Sequence, residues 1–180
     1  MAKVVDLSKS VCYNYSPAPR RALRACAIIW YNTRMQIRQI SIFLQNQPGQ
    51  LSQICRALAD AGINIATLSL ADTSDFGIVR MIVDDHERAK DVLAAAGYVA
   101  NVSEVVAVCV PDRPGGMAGV MQVLDRAGVD IEYSYAFAFH KGEKAVLVFR
   151  FDDNAAAAKA LADAGYMTLN EEEAVASAAQ

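Results

Sequence analysis

The sequence predicts an α+β protein of two tandem βαββαβ units, each a four-stranded antiparallel sheet with two helices on one face. Three observations carry this expectation. A Pro-Gly turn occurs twice, in NQPGQL (46–51) and DRPGGM (112–117), 66 positions apart. Each turn stands between a strand-like alternation and a run at helical spacing. The flanking residues also repeat over the length of a small domain, and such long-period self-similarity outranks any single motif.

The first unit opens with Ile40, Ile42 and Leu44 alternating with Gln39, Ser41 and Phe43, the period of a strand. After the turn, Leu51, Ile54, Cys55, Leu58 and Ala61 fall at helical spacing, and Gly62 ends the helix. INIATLSL (63–70) and GIVRMIV (77–83) are β-rich runs. The residues ADTSDF between them are too few for a crossover helix, so the two runs pair as a hairpin and the sheet is antiparallel. Ala89, Val92, Leu93 and Ala96 mark a second helix, ended by Gly97, and Tyr98 to Val102 forms a last short strand.

Adding 66 to each number recovers the first half in the second. Ile40, Ile42 and Leu44 become Val106, Val108 and Val110, and LADAGINI becomes LDRAGVDI. A two-residue insertion in the second hairpin raises the offset to 68, where VDDHERAKDVLAAAGY meets FDDNAAAAKALADAGY. The expected division is an extension over 1–36, disordered or wrongly assigned to the chain, one unit over 37–103, a second over 104–175 and a tail over 176–180. Across the junction, NVSEVVAVCV reads as nearly continuous strand. Units joined so tightly are expected to pack side by side.

Composition narrows the function classes. An apolar content of 54% provides for a packed core rather than disorder. No apolar run approaches the ~20 residues of a membrane span. Residues 1–34 hold six bases (Lys3, Lys9, Arg20, Arg21, Arg24, Arg34) against one acid, Asp6, a net of +5. The rest holds eleven bases against nineteen acids, a net of −8. So acidic a body is a poor partner for nucleic acid, whose binding leans on phosphate neutralisation. The extension also fits a basic targeting segment, or a start placed upstream of Met35. Cys12, Cys26, Cys55 and Cys109 form no Cys-x-x-Cys pair and read as small thiols of a reducing cytoplasm.

The Pro-Gly turns are the candidate site. Proline suits the start of a helix, and glycine lets another group approach the backbone. The amides of Gln50, Leu51, Gly116 and Met117 open the two helices, have no intrahelical acceptor and carry the positive end of the dipole behind them. Such a start suits one carboxylate. A plain strand-to-helix turn accounts for the same residues.

The loop NQPGQL after a strand, followed by ALADAGINI after the helix, resembles the ACT domain, and the second unit repeats the resemblance, which covers 37–175. It implies a ferredoxin-like fold, a small ligand such as a free amino acid, and regulation of metabolism. Ligand is then held at the helix-start loops where they face a neighbouring domain. The residues implied are Asn46, Pro48, Gly49, Gln50 and Leu51 with Asn64 and Ile65 in the first unit. In the second they are Asp112, Pro114, Gly115, Gly116 and Met117 with Asp130 and Ile131. Asn46 and Asn64 can donate or accept, whereas ionised Asp112 and Asp130 only accept and favour an ammonium. Gly116 makes the second loop the roomier one. Leu51, Ile65, Met117 and Ile131 suggest an apolar wall for a branched or aromatic side chain. Asn64 and Asp130 also fit as turn residues ahead of a strand.

No phosphate loop, Ser-His-Asp set or nucleophile pattern occurs, so no enzyme and no cofactor is expected. Neither His86 nor His140 has a second ligand at metal-binding spacing. Asp84-Asp85 and Asp152-Asp153 read as helix caps, and Glu171–Glu173 as a solvated tail. Tyr133, Tyr135, Phe137 and Phe139 alternate along one strand, as core packing or as the wall of a domain interface or ligand site. Leftover sheet edges favour a homodimer. Two other functions fit the outline: a ligandless subunit docking on a metabolic enzyme, and an acylphosphatase-like enzyme. The last needs an arginine in the first loop, which has none.

Overall fold

The computed structural model describes residues 36–72, 76–140 and 144–178. The extension lies outside these apart from Gln36, as do the tips of the two hairpins, the side chains of Phe137, Phe139 and His140, and the last residues of the tail. The order is β1 (Ile37–Gln45), α1 (Gln50–Asp60), β2 (Ile65–Asp72), β3 (Phe76–Val83), α2 (His86–Ala95), β4 (Ala100–Pro111), α3 (Gly116–Ala127), β5 (Ile131–His140), β6 (Lys144–Phe151), α4 (Asn154–Asp163), β7 (Thr168–Leu169) and α5 (Glu171–Ala178). The two βαββαβ units are therefore both present, as the period of the sequence requires.

One strand serves both units. The first half of β4 runs antiparallel to β1, from Ile42↔Ala100 to Ile37↔Val105. Its second half pairs with β6, from Val106↔Phe149 to Pro111↔Lys144. The short β7 adds Ala107↔Leu169 and Val108↔Thr168. The result is a single seven-stranded sheet ordered β2-β3-β1-β4-β6-β5, with β7 on β4.

Each unit buries its own helix-facing core. In the first, Ile40, Ile42, Leu44, Val79 and Met81 pack against Ile54, Leu58, Ala89 and Leu93. In the second, Val106, Val108, Phe149 and Phe151 pack against Val120, Leu124 and Leu161, with the two phenylalanine rings stacked at 5.5 Å. Helices α2 and α4 are capped as expected: Asp85 accepts from the Arg88 amide at 3.1 Å and Asp153 from the Ala156 amide at 2.9 Å.

The face away from the helices is buried too. Ile37, Ile82, Val105, Ala107, Val148 and Leu169 are nearly or wholly inaccessible and belong to neither helix-facing core. Strand alternation puts them on the opposite side of the sheet. The sheet curls over this face, and edge strands β2 and β5 approach each other. Gln39 of β1, with no exposed surface, ties the curl: its amide donates to the Tyr133 hydroxyl at 2.9 Å and to Ser41 Oγ at 3.0 Å, and its oxygen accepts from Tyr135 at 2.9 Å. The tyrosine stripe is thus an interface between units.

The acidic run Glu171–Glu173 is not a solvated tail. It opens α5, where the Asn170 amide donates to Glu173 at 3.0 Å and the Glu173 amide donates to Asn170 at 2.9 Å, a reciprocal cap. Arg38 of β1 donates to Glu171 at 3.0 Å. Ala174 is fully buried, and α5 lies against β1, β2 and β5, where the curl would otherwise gape.

Burial, and then neighbouring Tyr133, push the Tyr135 phenol well above the ordinary value of 10.0, with Arg80 pulling the other way. A folded-state value raised above the unfolded one gives stability that is complete below pH 10 and drains away as pH climbs above it. Urea melts of the parent should lose stability above pH 10, and Tyr135→Phe should lose less over that range. At neutral pH, Tyr135→Phe should cost about 1–3 kcal/mol, because the Gln39 oxygen is left without its donor.

Candidate functional site

The two Pro-Gly turns do what their residues require. Gly49 and Gly115 take φ of 91° and 88°, the left-handed region that a side chain resists. They stand at the N-caps of α1 and α3, and neither helix start has a side-chain cap or an acid in its first turn. This sets α1 and α3 apart from α2 and α4, whose starts are closed by Asp85 and Asp153.

Two of the four expected amides are spent. The Gln50 N–H donates to the Gln47 carbonyl at 3.3 Å and the Gly116 N–H to the Arg113 carbonyl at 2.9 Å. The turn itself consumes them, because it folds back to close before the helix begins. The first intrahelical bonds run from Gln53 to Gly49 and from Gly119 to Gly115. The first-turn amides left over are those of Leu51 and Ser52, and of Met117 and Ala118. The second loop is not the roomier one either. A Cβ on Gly116 would fall inside the Pro111 carbonyl oxygen, so the missing side chain makes way for backbone.

The two starts differ in their flanks. At the first, the Tyr98 hydroxyl shares its proton between Gln50 Oε1 (3.3 Å) and Gln53 Oε1 (3.1 Å). At the second, glycines 116 and 119 replace both glutamines, and the Tyr166 hydroxyl would lie 2.5 Å from a Cβ on Gly119. Asn46, Pro48, Asp112 and Pro114 are exposed around the loops. Leu51 and Ile65 are half-buried and pack on the first unit's own core, whereas Met117 and Ile131 are exposed.

Asn64 and Asp130 are held as turn residues. The Asn64 amide donates to Asp84 Oδ1 at 3.1 Å and its carbonyl accepts from the Asp84 amide. Asp130 and Asp152 repeat both bonds. Neither residue lies beside its own Pro-Gly loop. Gln45 pairs with Phe76 at one end of β3 and Ile65 with Val83 at the other, which is about 23 Å of strand. The two loops are farther apart still. One follows β1, whose end lies beside the start of β4, and the other follows the far end of β4. The chain therefore does not gather the expected residues into one pocket.

The sequence reading missed a second polar cluster. On the inner face, the Arg80 guanidinium carbon stands 3.9 Å from the centre of the Tyr133 ring, above the network of Gln39. The available signal was a lone charge inside the apolar strand GIVRMIV.

Two βαββαβ units fused through one strand, each with a glycine-led helix start left uncapped, place the chain among proteins built of two tandem ferredoxin-like domains. The family model described as an ACT domain pair matches residues 35–177, and the chain belongs to that family. Protein BT0572 from Bacteroides thetaiotaomicron shares 32% identity at a TM-score of 0.74, over 79% of this chain and 97% of that one. The regulatory subunit of aspartate kinase from Thermus thermophilus, in its ligand-free form, shares the fold at 18% identity and a TM-score of 0.54, over 74% and 95%. That from Thermus flavus does so at 19% and 0.54, over 72% and 93%. No curated protein matches. Among the described residues, no helix is long and apolar enough to cross a membrane.

The Gly116 contact gives a direct test of the second turn. Gly116→Ala should destabilise the protein by about 1–3 kcal/mol, since backbone and not a flexible side chain must yield. A chemical melt of the variant against the parent measures it.

Proposed function

We propose that the chain is an amino-acid-responsive regulatory protein and not an enzyme, with ligand taken at the two Pro-Gly helix starts. The observation that carries this reading is the contrast in capping: α2 and α4 are closed by aspartate, while α1 and α3 are left bare behind a glycine. Bare amides at a helix start, with the dipole's positive end behind them, favour a carboxylate. In this reading Leu51 and Ser52 hold it in the first unit, and Met117 and Ala118 in the second. Asn46, Pro48, Gly49 and Gln50 shape the first start, and Asp112, Pro114, Gly115 and Gly116 the second, where Asp112 favours the ligand's ammonium.

The wall opposite each loop comes from a second copy of the chain. The loops lie at opposite ends of one molecule, so a ligand cannot bridge them within it. Exposed residues near Asn64 and Ile65, or Asp130 and Ile131, are presented outward to a neighbour. A homodimer would complete the site, and ligand would tighten it by mass action. Family membership supports a regulatory role in the cytoplasm.

A second reading keeps the regulation without the ligand: a subunit that docks on a metabolic enzyme. It is favoured by Phe43 and Phe76, 54% and 61% exposed on neighbouring strands, and by the fold shared with regulatory subunits of a kinase.

Calorimetry of the full chain against the twenty amino acids tests the first reading. One or a few should bind. Ser52→Pro and Ala118→Pro, which delete one donor each without breaking an intrahelical bond, should weaken binding about tenfold. Gly49→Arg and Gly115→Arg should block it. Sedimentation should show ligand favouring the dimer. No heat from any amino acid, with all variants behaving as the parent, would leave the docking reading.

A further inference from the structure

We infer that the inner face of the curled sheet holds a carboxylate between the two units, on Arg80, Ser41, Ser69 and Tyr133. This site is separate from the Pro-Gly loops and does not depend on them. Arg80 of β3 stands in register between Ser41 of β1 and Ser69 of β2. Its guanidinium lies over the Tyr133 ring of the second unit at 3.9 Å. Its Nε is shut off from solvent and has no hydrogen-bond partner. The ion pairs among the described residues engage Arg38, His86, Arg150 and Lys159, and leave Arg80 out.

A guanidinium keeps its charge at every accessible pH and presents five N–H donors in a planar fork. Stacking on a tyrosine offsets part of that charge but supplies no acceptor to the N–H groups. The neighbours add donors. Tyr133 and Ser41 each accept a hydrogen bond from the Gln39 amide, so each keeps its own hydroxyl proton to give. Gln39 in turn is occupied by Tyr133, Ser41 and Tyr135. Among the described residues, positive charge and donors therefore converge without an acid paired to receive them. A planar two-oxygen acceptor matches the fork and leaves an oxygen for a hydroxyl. The flanking serines are small, and Arg80, Ser41, Ser69 and Tyr133 are all half-buried and not closed off, so a small solute reaches the outer edge of the guanidinium. An anion there bonds both units at once and couples their packing.

The test follows the Arg80 Nε–H signal by nitrogen-15 NMR in the full chain during titration with acetate, with acetamide as neutral isostere and inorganic phosphate as the competing oxyanion. Acetate should move the signal saturably, acetamide should not, and phosphate should bind more weakly than acetate. Tyr133→Phe keeps the stacked ring and removes one donor, so acetate should weaken about tenfold. Arg80→Gln in the Ser52→Pro, Ala118→Pro background, followed by calorimetry, should abolish the acetate heat that this background retains; if that variant fails to fold, the acetamide comparison and Tyr133→Phe decide. Ser52→Pro should leave acetate binding unchanged while impairing the loop sites, which keeps this proposal distinct from the previous one. An unsaturable response, equal responses to acetate and acetamide, tighter phosphate binding, or an unchanged Tyr133→Phe would overturn it.

Discussion

Strand β4 is the constraint on which the molecule depends. Its twelve residues are the last strand of one unit and the first of the next. A hydrogen-bonded ladder fixes the direction and register of whatever pairs with it. Once β1 is laid on the first half of β4 and β6 on the second, neither unit can turn independently of the other. The curl of the sheet follows, and with it the burial of a second face. Val105 and Ala107, on the same strand, help fill that face.

That second face is polar at its centre and apolar around it. A buried amide is tolerable only when its groups are paired, and Gln39 meets this by reaching two tyrosines on β5 and a serine on its own strand. The network couples the units more specifically than apolar packing would, because its partners have direction. It also leaves Arg80 at its rim with charge to spare. Helix α5 completes the closure, held to the first unit through Glu171 and Arg38.

Duplication has produced two units alike in frame and different in detail. The aspartate caps, the Asn64–Asp84 and Asp130–Asp152 ties and the left-handed glycines recur at equivalent positions. The helix starts have diverged: glutamines met by a tyrosine in the first unit, glycines packed against backbone and a tyrosine in the second. Shared features support the fold, and the differences gather at the two helix starts.

The repeat, the order of elements as far as β7 and the two helix-facing cores were legible in the sequence, because alternation and helical spacing are properties of the local chain. The aspartate caps were legible for the same reason. Alternation says which residues share a face but not what covers it. Gln39 therefore shows in the sequence only as a residue alternating with Ile40, and Arg80 only as a lone charge in GIVRMIV, until the curl covers the face they share, through partners 94 and 96 positions away in the case of Gln39. The amides of Gln50 and Gly116 looked open because the sequence names a turn without saying which way its N–H groups point. The acidic run 171–173 looked like a tail because its anchors, Arg38 and the gap between β2 and β5, come from the other end of the chain. The three-dimensional structure alone decided these points: for Gln39, Arg80 and the acidic run through partners on distant strands, and for the two amides through the direction in which each turn closes on the carbonyls of Gln47 and Arg113.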